Sequence, residues 1–124
     1  MNIPKSGYID LRPLKEEVDG NITVCQMLIN SFITDIDGYI NAMNIEVSSY
    51  NLPKLYQVAH KIIPSIRIFN IKKLEPIIIQ LESELKREEN LELINKNINS
   101  SIEIFNQVKI ELQNELKLIE NAAT

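Results

Sequence analysis

The chain has 124 residues, 44% hydrophobic and 24% charged, with a formal net charge of −4, as expected of one soluble globular domain with a single modest core. Three glycines and no tryptophan argue against a turn-rich β fold, and no run approaches the ~20 apolar residues of a membrane span. The single cysteine, Cys25, cannot close an internal disulfide, and the opening "MNIPKSGYIDL" has no apolar core of the signal-peptide kind. Both point to a reducing cytoplasm.

In chain order, a short helix opens at Asp10, a good N-cap, with Pro13 in its first turn. "VDGN", residues 18–21, is a turn. A long helix follows over 22–47. Its apolar residues Ile22, Cys25, Leu28, Ile29, Phe32, Ile36, Tyr39, Ile40 and Met43 keep three-four spacing, and Cys25 reads as a small buried apolar side chain. "SSYN" breaks the pattern, and Asn51 with Pro53 starts a third helix that runs to Phe69. Asn70 is a junction. A fourth helix is expected over 71–86, with Leu74, Ile77, Ile78, Leu81 and Leu85 inward. The last begins near Glu88 and carries Leu91, Ile94, Ile98, Ile102, Phe105, Val108, Leu112, Leu116 and Ile119. Amphipathic helices with short connections bury their stripes against each other. The expected fold is all-α, an antiparallel four-helix bundle with a short additional N-terminal helix, one domain over 1–124.

Charge is unevenly distributed. No acidic residue lies between Glu46 and Glu75, whereas Lys54, His60, Lys61, Arg67, Lys72 and Lys73 do. This local field favours an anion or an acidic partner. Nucleic acid is a poor fit, since the basic stretch lacks a helix-turn-helix spacing or an aromatic stacking sheet.

That stretch contains the only histidine, in "LYQVAHKIIPSIRIF". At ~100° per residue, Leu55, Val58, Ala59, Ile62, Ile66 and Phe69 share the inner side of the third helix. His60 falls roughly opposite, with Tyr56, Gln57, Ile63, Pro64 and Arg67 around it. An outer face carrying Tyr56, Ile63, Pro64 and Ile68 is apolar enough to read as a docking surface. The ordinary alternative is an idle surface histidine. One histidine and one cysteine on separate helices make neither a metal ligand set nor a nucleophilic pair. Pro64 lacks the N–H that would pair with the carbonyl of His60, so a bend is expected there.

"YIDLRPLKEEVDGN", "QMLINSFITDIDGYINAM" and above all "AHKIIPS", continuing without a gap through "FNIKKLEPIIIQLE", resemble the histidine-containing phosphotransfer (HPt) domains of two-component phosphorelays. The resemblance spans nearly the whole chain. It implies that His60 is the phosphoacceptor and that Glu82 orients its imidazole. It further implies response-regulator receiver domains as partners, including those of hybrid sensor histidine kinases. The family's lysine three residues after the histidine is Ile63 here, and Arg67 is the nearest substitute on that face, its planar fork suiting phosphate. No Gly-rich ATP loop exists. The chain is therefore expected to be a cytoplasmic monomer that needs no cofactor of its own, with Mg²⁺ belonging to the receiver. Ile63 also favours a second reading: a module that docks or sequesters receivers without passing phosphate.

Overall fold

Asparagines and prolines punctuate the chain, and the helices begin where they stand. The structure, a computed structural model, describes residues 7–123. The expectation drawn from residues 1–6 lies outside them. Among the described residues the fold is all-helical and contains no strand. Its five helices are α1 Arg12–Glu17, α2 Ile22–Ser49, α3 Leu52–Ile68, α4 Glu75–Arg87 and α5 Leu91–Ala123. The side chains of Asn21, Asn51 and Asn90 accept from the N–H groups of Val24, Lys54 and Leu93, at 3.1, 3.3 and 3.0 Å. Each satisfies one of the orphan donors of a helix start. α1 opens at Arg12 rather than at Asp10: Leu11 stands at its N-cap without a side-chain hydrogen bond, and Asp10, one residue earlier, accepts from the backbone N–H and the guanidinium of Arg12.

Several boundaries differ from those expected. α4 begins at Glu75 rather than Ile71, because residues 71–74 form a turn in which the Leu74 N–H reaches the Ile71 carbonyl at 3.1 Å. Pro76 lies in the first turn of α4, where its missing N–H costs nothing; a helix begun at Ile71 would have placed it in the interior. α5 begins at Leu91 rather than near Glu88, since Glu88 takes the left-handed conformation that ends α4 (φ 57°). α2 runs two residues past Val47, and α3 stops at Ile68. Ile22 and Leu91, expected to head inward stripes, are 58% and 44% exposed. Each is the first residue of its helix and lies beyond the packed stretch.

α2 packs against α3 and α5, and α4 packs against the same two. The inward stripes meet in one core that includes Ile29, Phe32, Ile36, Leu55, Ile66, Ile78, Leu81 and Phe105, all at most 1% exposed. Burying each such side chain contributes ~1.5–3 kcal/mol. Phe32 stacks on Phe69 with centroids 4.5 Å apart and meets Phe105 edge-on at 6.4 Å. One polar contact crosses this core. The Tyr39 hydroxyl bonds Ser101 Oγ at 2.7 Å, and Ser101 in turn donates to the Ile98 carbonyl, also at 2.7 Å. Burial pushes the Tyr39 hydroxyl pKa up. Cys25 is buried as its spacing suggests, and burial raises its thiol pKa as well. Leu11 and Leu14 bring α1 onto the core. The Tyr8 and Ile9 N–H groups donate to the Glu111 carboxylate of α5, and the Asp10 N–H to the Phe69 carbonyl. Among the described residues no helix is long and apolar enough to cross a membrane.

Candidate functional site

α3 meets different surroundings on its two flanks, packing on α2 and on α4. Leu55, Ala59, Ile62 and Ile66 face the core, and their mean direction sets His60 ~130° away around the helix. His60 is accordingly an exposed side chain, 66% accessible, yet it is not loose. Its Nδ1 bonds Glu82 Oε2 of α4. One turn earlier, Tyr56 lies against the imidazole with centroids 5.8 Å apart and planes only 8° from parallel. Glu82 is itself 22% accessible, held at the edge of the core by its buried neighbour Leu81.

This geometry constrains the ring. An ionised carboxylate only accepts, so the nitrogen facing it carries the proton. In the neutral imidazole the lone pair then belongs to Nε2. Among the described residues Nε2 has no hydrogen-bond partner. The arrangement is a nucleophilic nitrogen presented to solvent, with its tautomer fixed from behind and its plane braced by an aromatic ring.

The residues expected around His60 separate into two groups. Tyr56, Ile63 and Arg67 lie on the flank of α3 that meets α4; Gln57, Pro64 and Ile68 face solvent. Ile63 is only 7% exposed and does not belong to an outer docking face. Its position is ~70° from the core direction, and α4 covers that flank. The apolar part of the outer face is thereby reduced to Pro64 and Ile68, the latter 47% exposed. Arg67 does not lean back toward His60. Its Nε bonds Glu75 Oε2 at 2.9 Å, so its charge is paired at the start of α4, about two turns from the imidazole. α3 remains helical through Pro64 to Ile68, leaving the His60 carbonyl without the amide partner a non-proline residue would supply.

The Tyr56–His60 contact has a sequence signal in its i,i+4 spacing. The Arg67–Glu75 pair has none, because it depends on how the chain reverses at Asn70. Among the described residues no three His, Cys, Asp or Glu side chains group as a metal site. No protein-family model matches the chain, and neither a curated protein nor a solved structure does.

Proposed function

We propose that the chain is a histidine phosphotransfer module of the HPt kind, an antiparallel four-helix bundle with α1 laid across one end, working as a cytoplasmic monomer between receiver domains. The observation that carries this reading is the exposed His60 with Glu82 at Nδ1 and Nε2 left free. In the transfer, the Nε2 lone pair attacks the phosphorus of a receiver's aspartyl phosphate. The P–O bond to the aspartate breaks and the carboxylate leaves with that electron pair. The imidazole becomes a phosphoimidazolium whose Nδ1–H stays on Glu82, where the carboxylate offsets the positive charge. The reverse step returns the phosphoryl group to an aspartate of a second receiver. Any Mg²⁺ belongs to the receiver.

A second reading is supported by Ile63 and Arg67. One is buried and the other is paired with Glu75, so neither offers a free cation beside His60. On that reading the chain binds receivers without taking the phosphoryl group. Incubation with radiolabelled phospho-receivers separates the two. Phosphotransfer gives acid-labile, base-stable label on the native protein and none on His60→Ala, with Glu82→Ala slowed by about tenfold or more, the loss of ~1.4 kcal/mol of transition-state stabilisation. Receiver binding without label, at equal affinity in native and His60→Ala protein, overturns phosphotransfer and leaves the docking module.

A further inference from the structure

Phe32–Phe69, Phe32–Phe105 and Tyr39–Phe105 are ring pairs of the core, and their contact is packing. Among the described residues, Tyr56–His60 is the ring pair that reaches solvent. Its two members are held unequally. Tyr56 is half-buried and packs against the core, so its ring is a fixed surface. The imidazole is 66% accessible and tied by Glu82 at one edge. The Tyr56 hydroxyl makes no hydrogen bond among the described residues, so what His60 meets is the ring itself. The planes lie 8° from parallel with centroids 5.8 Å apart. The imidazole is thereby set along the negative face of the phenol quadrupole rather than across its positive edge.

We propose that Tyr56 is a charge-selective positioning residue: its ring face favours the phosphorylated, cationic His60 over the neutral one, and so sets how far a phosphoryl group is drawn onto this protein. The proposal deepens the phosphotransfer reading and rests on it. A neutral imidazole stacked on a phenol gains packing alone. Transfer to Nε2 leaves Nδ1 protonated on Glu82, and the ring then carries a positive charge within ~6 Å of an aromatic centroid, the range of cation–π attraction. That attraction exists on one side of the transfer and not on the other, so it moves the equilibrium and not only the rates. Glu82 meets the same charge at the ring's edge, whereas Tyr56 acts on its face, and the two contributions are separable. With Ile63 buried and Arg67 paired with Glu75, neither steadies the phosphoryl oxygens. The imidazolium is the part of the product that Tyr56 and Glu82 hold.

The test replaces the receiver by N-phosphoimidazole, which carries the same P–N bond on a free ring. His60 Nε2 attacks the phosphorus of the protonated donor, the P–N bond breaks and neutral imidazole leaves with the electron pair. The equilibrium constant therefore compares His60 directly with a ring in water, and phosphorus NMR on the full chain at fixed pH reads it. Tyr56→Leu keeps bulk against the core without the quadrupole and should lower the constant about threefold. Tyr56→Phe keeps the face and should leave it unchanged. Equal constants in native and Tyr56→Leu protein overturn the proposal, including the case in which forward and reverse rates fall together, which would make Tyr56 a brace only. A fall in Tyr56→Phe as large as in Tyr56→Leu also overturns it, by moving the effect to the hydroxyl. So does native protein that takes no phosphoryl group from the donor. A chain that shows the expected constants but takes nothing from phospho-receivers loses the phosphotransfer reading while the preference of Tyr56 stands, so the two failures are distinguishable.

Discussion

Neighbouring residues of α3 respond in opposite ways to substitution, because the helix buries one flank and exposes the next. His60→Ala removes a side chain that is 66% accessible, and the thermal midpoint should move by no more than the equivalent of ~0.5 kcal/mol. Ile62→Ala, at 5% exposure, should cost ~2–4 kcal/mol in urea unfolding. The third case is Ile63. An exposed isoleucine would accept lysine without penalty, but this one lies under α4. Ile63→Lys should cost ~1–3 kcal/mol from desolvation and lost packing, and an unchanged denaturation midpoint would return Ile63 to the surface. Counting 100° per residue places His60 outward, and that arithmetic needs nothing but the sequence. The same arithmetic misplaces Ile63. The count gives its angle but not which flank a neighbouring helix will cover.

The starts of α2 and α3 are legible in the sequence, and those of α4 and α5 are not. Asn51 is a cap that chemistry names directly, and Asn21 closes the turn ahead of α2, whereas Leu11 and not Asp10 stands at the N-cap of α1. The reversals instead turn on residues with positive φ: Asp19 at 53°, Gly20 at 71°, Tyr50 at 52°, Asn70 at 54° and Glu88 at 57°. Only the glycine and, more weakly, the asparagine signal this conformation in advance. Tyr50 and Glu88 do not, and an α5 start near Glu88 is accordingly three residues early. A side chain at Glu88 carries the steric cost of the left-handed region. Glu88→Gly should therefore raise stability by ~0.5–1 kcal/mol, seen as a higher urea midpoint at constant slope; a lower midpoint would show that the glutamate makes a compensating contact. At the other end of the chain, the Arg12 hydrogen bond holds the Asp10 carboxyl at a pKa of about 2, below the ~3.9 of an unfolded aspartate. A depressed folded-state pKa stabilises above the unfolded value, and that contribution fades as pH falls from ~4 toward 2. Asp10→Asn keeps an oxygen that accepts from the Arg12 N–H without the charge. Thermal melts should show the native protein losing more of its midpoint than Asp10→Asn across that interval.

Across the whole molecule, charge and packing are partitioned along the same chain. The basic stretch 47–74 includes all of α3, while α4 and α5 carry the acidic excess. On the proposed receiver-binding reading, Ile68→Glu, which replaces one of the two apolar residues left on the outer face, should weaken that binding about tenfold without lowering the thermal midpoint; unchanged affinity would move the proposed interface off this face. The helical class and number of elements could be read from periodicity alone. The pairing of α2 with α5 could not, since it depends on connector directions set at Tyr50, Asn70 and Glu88. That pairing also has a kinetic consequence. α2 with α3, α3 with α4 and α4 with α5 join sequence neighbours, and only α2 with α5 closes the ring across a long stretch of chain. Such low contact order belongs to domains that fold in microseconds to milliseconds. The contacts that close the ring, Phe32 with Phe105 and Tyr39 with Ser101, carry the largest loop-closure entropy and should form last. Truncating them ought to steepen the loss of the native state, raising the unfolding rate in a chevron measurement while the refolding limb stays where it was.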